Sequence, residues 1–252
     1  MTRFIAFKIW GDYAHFKKHY TTTSPLTFEI PPPPTVLGMI AAIIGLGKES
    51  YLSHFQDASA YAMAIRIMKP VKKTRWTQNL INTKLSGNIS GKFGKTKTRM
   101  THFGEIKGRT QIRIEFLKDP AYMIYFHHDD PAIRQALKER LLNHAPVYSV
   151  CLGLSELLAG FEYAGDVQAG VREGGPITDI HTVVPAESLC GENPVSFEHS
   201  AEIFRCNYPL FMTPERVVTK RGDIVFERNA APMYCRVRSY YETEKGERIV
   251  SI

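Results

Sequence analysis

The densest run of chemically versatile side chains lies between residues 11 and 24. It holds Tyr13, His15, Phe16, Lys17, Lys18 and Tyr20, followed by Thr21, Thr22, Thr23 and Ser24. Aromatic rings can stack on bases, ammonium groups hold phosphates, and hydroxyls reach sugars or base edges. The same composition also suits a surface loop with a few buried rings, and the two readings stay open at this level. His15, His19 and His102, each near a lysine (Lys17, Lys18, Lys107), together with Tyr20 could also move protons in metal-independent RNA cleavage. Nothing in the sequence brings them together, so contact without cleavage is the expectation and no catalytic residue is assigned.

A second feature is a concentration of positive charge. Residues 69–113 carry twelve Lys or Arg against one acid, Glu105, a local excess of +11 in a chain whose formal charge is +7, so the remainder carries −4. A polyanionic backbone needs such a local field, whereas diffuse basicity would say little. Within the window Lys95, Lys97 and Arg99 alternate with Thr96 and Thr98, as the two faces of a strand would. Gly87, Gly91 and Gly94 read as a tip, and the whole window as a β-hairpin arm. Arg75, Lys95, Lys97, Arg99, Lys107 and Arg109 are its candidate phosphate contacts. An amphipathic basic helix, the mark of a membrane-surface protein, is not the pattern here, so no membrane partner is expected.

Other candidates fail on spacing. Gly47-Lys48 matches a phosphate-binding loop only in part, with Ala42 in place of the first glycine and Glu49 in place of the magnesium-binding hydroxyl. His127-His128-Asp129-Asp130 alternates faces if it ends a strand, which suits a helix cap before Pro131 better than chelation. Cys151, Cys190, Cys206 and Cys235 show no zinc spacing and no disulfide framework. No metal or cofactor is expected. The longest apolar run, residues 36–46, is too short for a bilayer, and the N-terminus opens directly on a strand; a cytoplasmic location is the expectation.

The elements that must position these groups follow from periodicity. Residues 3–10 alternate as a strand, with Phe4, Ala6, Lys8 and Trp10 on one face and Arg3, Ile5, Phe7 and Ile9 on the other. Pro31 to Pro34 stop the chain, Pro34 suits a first helical turn, and a helix runs to about Leu46 with a thin flank at Gly38, Ala41 and Ala42. Residues 61–68 are a strand. Residues 113–117 and 121–127 read as a tight hairpin around Lys118-Asp119-Pro120, and Asp130 starts a helix with an apolar stripe of Ile133, Leu137, Leu141 and Leu142. After a short apolar segment at 152–163, a boundary is placed near Gly174 and Gly175. The expectation is an N-terminal unit over 1–174 and a small β-rich C-terminal region over 175–252, with strands near 177–184, 201–207, 224–228 and 234–241 and a turn at 244–247. Apart from the arm, the order is close to an α+β, ferredoxin-like pattern.

Three stretches carry a family resemblance: Trp10-Gly11-Asp12-Tyr13-Ala14-His15-Phe16-Lys17-Lys18, then Thr23-Ser24-Pro25-Leu26-Thr27-Phe28, then Pro31-Pro32-Pro33-Pro34-Thr35-Val36-Leu37-Gly38-Met39-Ile40-Ala41-Ala42-Ile43-Ile44-Gly45. They resemble the start of the fifth CRISPR-associated (Cas) protein family of the RAMP superfamily, most nearly its type I-B members. Leu152-Gly153-Leu154-Ser155-Glu156 is similar more loosely. The resemblance implies an RNA-recognition-motif-like domain with a β-hairpin thumb at about residues 69–113. It implies a subunit that caps one end of the Cascade effector complex and holds the 5′ handle of the CRISPR RNA (crRNA). Its neighbours there would be the backbone subunit and the large PAM-reading subunit, with target DNA engaged only through the complex. Family members of type I-C cut precursor crRNA themselves, and no catalytic set of that kind aligns here residue by residue.

Overall fold

Strand β1 (Thr2–Trp10) is apolar on both faces, and the structure buries both. Ile5, Phe7 and Ile9 enter the main core, while Phe4 and Ala6 join a second cluster with Ala64, Tyr125, Ala169 and Ile249. In this computed structural model, which describes residues 1–81, 109–197 and 202–252, β1 lies at the centre of a six-stranded sheet. β6 (Ala121–His128) and then β3 (Tyr61–Ile67) follow on one side. β7 (Gly160–Glu173), β13 (Ser239–Thr243) and β14 (Arg248–Ile249) follow on the other, every pairing antiparallel. A bulge opposite the Ala6–Phe7 step leaves Ala164 unpaired beside Gly165, whose φ of +133° suits a residue without Cβ; bulges increase the local twist of a sheet.

Two α-helices among the described residues pack against the main core. α1 (Pro33–Ile44) has prolines in its first turn and ends at Gly45, whose φ of 91° places it in the left-handed region. α2 (Pro131–Leu142) is capped by Asp130, whose carboxylate accepts from the Ala132 N–H at 2.8 Å. The stripe expected for α2 needs one correction. Ile133, Leu137 and Leu141 are buried, but Leu142 is 56% exposed. It follows Leu141 by about 100° around the helix and so turns off the apolar face.

A larger correction concerns residues 113–127. They do not form a hairpin. β5 (Arg109–Lys118) pairs along its length with β4 (Lys72–Ile81), from Lys72 opposite Lys118 to Ile81 opposite Arg109, while β6 inserts between β1 and β3. The break between sheets falls at Asp119, which takes a positive φ of 53°, donates its N–H to Asp12 O at 2.7 Å, and accepts from Lys69 Nζ at 2.7 Å. The turn is short, as the sequence suggests, but both strands find their partners elsewhere, β5 in β4 and β6 in β1 and β3.

The other edge of β5 carries β2 (Tyr13–Ala14). In the C-terminal part β10 (Ile203–Met212), β11 (Val218–Glu227) and β9 (Val184–Pro185) form a three-stranded sheet, and β8 (Thr178–Ile180) pairs with β12 (Met233–Cys235). Gly174 lies within this framework, donating its N–H to Arg238 O at 2.7 Å, and the turn at 243–247 joins β13 to β14. No helix among the described residues is long and apolar enough to cross a membrane.

Candidate nucleic-acid interface

After β2 the chain makes a small hairpin of its own along the edge of β5. Phe28 N–H donates to Phe16 O at 2.8 Å, Lys18 N–H to Leu26 O at 2.9 Å, and Lys17 bridges Thr27. Thr21 locks the tip: its hydroxyl donates to Lys18 O at 2.8 Å and accepts from the Leu26 N–H at 3.2 Å. The returning arm docks on the ribbon, since Glu115 N–H donates to Pro25 O at 3.0 Å. The exposed tip therefore projects beside the β4–β5 ribbon.

This geometry sorts the predicted residues into two groups. Lys17, Tyr20, Thr23 and Ser24 are exposed, with Tyr20 at 64%. Tyr13 is half-buried and meets the Trp76 ring edge-on at 4.5 Å. Phe16 and His15, by contrast, are each 3% exposed, which corrects their assignment as RNA contacts. Phe16 belongs to the main core. His15 packs near Phe116, its Nδ1 lies 2.7 Å from Glu115 O, and its N–H donates to Leu152 O at 3.0 Å. Burial moves the His15 imidazole below its ordinary pKa, against the hydrogen bond to Glu115 O that favours the charged form. The sequence shows rings and charges interleaved, but alternation along a paired segment sends every second side chain inward.

Lys18 is corrected too. Its side chain is 11% exposed, 3.4 Å from Glu29, and its ammonium lies over the Phe28 ring. It belongs to a network absent from the sequence reading. Lys73 Nζ reaches Glu29 Oε1 at 2.6 Å and Glu115 Oε1 at 3.1 Å, Arg75 donates twice to Glu115 Oε2 at 3.0 and 2.7 Å, and Tyr208 donates to Glu29 Oε2 at 3.1 Å. Burial alone would raise the Glu29 carboxyl, but the hydrogen bond and charge of Lys73 and the charge of Lys18 hold it below the ordinary carboxylate range. Glu115 behaves alike: burial raises it, and the hydrogen bonds of Arg75 and Lys73 more than offset that. Lys73 in turn is raised despite its burial, by Glu29 and then Glu115. Arg75, an exposed side chain, thus spends part of its guanidinium on Glu115, its cross-strand neighbour within the β4–β5 ribbon.

Arg109 lies in β5 opposite Ile81. Lys95, Lys97, Arg99 and Lys107, with Glu105 and His102, lie outside the described residues. Two residues that sequence reasoning missed stand out. Glu29, between Phe28 and Ile30 just before the proline run, carries no motif. Arg221 on β11 donates to the His19 imidazole Nδ1 at 3.2 Å across 202 positions of sequence, a contact no local pattern could reveal.

The separated stretches that resemble one family meet in space. Gly153, at φ +101°, lies so close to the His15 backbone that a Cβ there would stand 2.0 Å from His15 O. Among the described residues, a mostly β protein, with two helices on a curled sheet and an N-terminal hairpin docked on a two-stranded ribbon, is the class these observations define. The chain belongs to the family described as CRISPR-associated protein (Cas_Cas5), whose model matches residues 4–222. No curated protein sequence matches it. Among solved structures, a CRISPR protein from Archaeoglobus fulgidus is similar with a TM-score of 0.53 at 16% identity, covering 100% of this chain and 99% of that one, a likeness of fold. A chain titled CRISPR RNA-guided surveillance complex gives a TM-score of 0.48 at 13% identity over 92% and 91%. One from a Type III-B Cmr-beta complex bound to cognate target RNA gives 0.44 at 12% over 91% and 86%.

Proposed function

We propose that the protein is a structural, RNA-binding subunit of a type I CRISPR effector (Cascade) complex. It holds the 5′ handle of the crRNA and caps one end of the assembly in the cytoplasm, as part of antiviral defence. Membership of the family over residues 4–222 carries the reading. The exposed tip with Lys17, Tyr20, Thr23 and Ser24, docked beside a ribbon that opens toward the basic window, supports it. The β4–β5 ladder is on this account the stem of a thumb, on a RAMP domain of ferredoxin-like descent, and Lys95, Lys97 and Arg99 supply phosphate contacts beyond it. The backbone subunit and the large PAM-reading subunit are its protein partners, and sequence recognition of target DNA falls to guide pairing.

The role is binding rather than turnover. The burial of His15 supports this by removing one of the three histidines that proton transfer would use. The test is incubation of the purified protein with labelled repeat RNA, with and without EDTA. Binding without scission is expected. Specific cutting within the repeat, lost in His19→Ala or His102→Ala, would overturn the claim.

A further inference from the structure

Cations along the C-terminal β10–β11 hairpin and its flanks are paired with carboxylates. Arg205 meets Asp223 at 2.7 Å, Lys220 meets Glu187 at 2.9 Å, and Arg228 meets Glu202 at 3.0 Å. Arg221 differs. Its contact is the imidazole of His19, so its charge is not cancelled by that partner. A guanidinium has only donors, which makes His19 Nδ1 the acceptor and assigns the ring proton to Nε2 by the bonding pattern. The Nε2–H and the other guanidinium N–H groups remain to bind an anion. Beside them, the Tyr20 ring stands edge-on to His19 at 5.1 Å, is 64% exposed, and sits on a turn locked by Thr21. An exposed aromatic plane next to a cation with no carboxylate partner among the described residues suits a base joined to a phosphate.

We infer that Arg221, His19 and Tyr20 form a composite clamp for one nucleotide of single-stranded RNA, with the phosphate on Arg221 and His19 and the base on Tyr20. The inference rests on the RNA-binding reading above and adds that the C-terminal hairpin completes the RNA site. An acidic segment of a partner protein could meet Arg221 but would not use the tyrosine plane, so RNA is the occupant.

The experiment measures affinity for a labelled single-stranded repeat RNA at several salt concentrations, for the wild type, Arg221→Gln, Tyr20→Ala and, as control, Lys220→Gln. Arg221→Gln should weaken binding roughly tenfold or more, as loss of one charge-assisted contact does, and reduce the salt slope by about 0.7. Tyr20→Ala should weaken binding with the slope retained, and Lys220→Gln should change neither. Thermal midpoints check that the variants fold, and photocrosslinking of thiouridine-labelled RNA to the wild type should map to the peptide holding Tyr20 and to residues 218–227. Wild-type binding with an unchanged affinity and slope in Arg221→Gln, and no crosslink to either segment, would overturn the clamp and leave the RNA-binding reading standing. No wild-type binding at all would overturn both. Unchanged RNA affinity with loss of a partner subunit on co-purification would assign Arg221 to a protein contact and also overturn the clamp.

Discussion

Glu29→Gln removes one charge from the buried network and little volume. In the native protein that carboxylate, 9% exposed, serves Lys73 at 2.6 Å, Lys18 at 3.4 Å and the Tyr208 hydroxyl at 3.1 Å. Breaking a buried ion pair from one side typically costs ~3–5 kcal/mol, because the other charge stays buried. Here Lys73 keeps Glu115 at 3.1 Å, which limits its loss, while Lys18 keeps no carboxylate partner among the described residues. The cost should therefore fall near the low end, about 3 kcal/mol, or a fall in thermal midpoint of roughly 6–12 °C for a chain of this size. Replacing Lys18 with Met in the Glu29→Gln background should recover part of it, since the stranded ammonium is then gone. The pH dependence has a definite sign. Glu29 and Glu115 both have folded pKa values below their unfolded ones, so their contribution is complete above the ordinary carboxylate range and is lost as pH falls through the folded values. Lys73, raised in the folded state, contributes below its ordinary pKa and loses that contribution as pH rises through its folded value. Denaturant unfolding of wild type and variants at acidic, neutral and alkaline pH measures all of this. A Glu29→Gln variant within about 0.5 kcal/mol of wild type at neutral pH, the range of ordinary surface changes, would refute the assignment of this network as the clasp between ribbon and body.

Two further outcomes separate core from surface in the N-terminal hairpin. Phe16→Ala should cost about 3–5 kcal/mol of stability as a core truncation, while Tyr20→Ala should leave the unfolding midpoint unchanged and weaken RNA binding by about 1–3 kcal/mol; the reverse pattern would invalidate the inside–outside assignment. Gly153→Ala should destabilise by about 1–3 kcal/mol or more, since it adds left-handed strain and a clash with the His15 backbone. Unfolding in urea reads it directly, and a neutral result would mean that the two family-like stretches do not touch.

Much of the scaffold is legible in the sequence because it follows from local rules. Alternation in β1, the proline start and glycine stop of α1, and the Asp130 cap of α2 each act within a few residues. What escapes is long-range pairing. Nothing local distinguishes a β5–β6 hairpin from a β5 that pairs with β4 some forty residues earlier, since a short turn with Asp and Pro suits both. The site follows the same division. Composition marks residues 11–24 as an aromatic and basic segment, yet cannot tell the outward Tyr20 from the inward Phe16, because that depends on pairing with residues 26–28. Lys18 reads as a phosphate ligand until Glu29, eleven positions on, is seen to share its burial. Arg221 could be found only from the folded contact between two distant hairpins.

The most direct test is to purify the tagged chain from cells expressing its neighbouring genes and a CRISPR array, then sequence the RNA it retains. The account predicts co-purification of a backbone subunit with crRNA of uniform 5′ ends, and photocrosslinks from those 5′-end nucleotides to the peptide containing Tyr20. Recovery of the partner subunits with no RNA contact to this chain, or with crosslinks confined to the 3′ end, would contradict it.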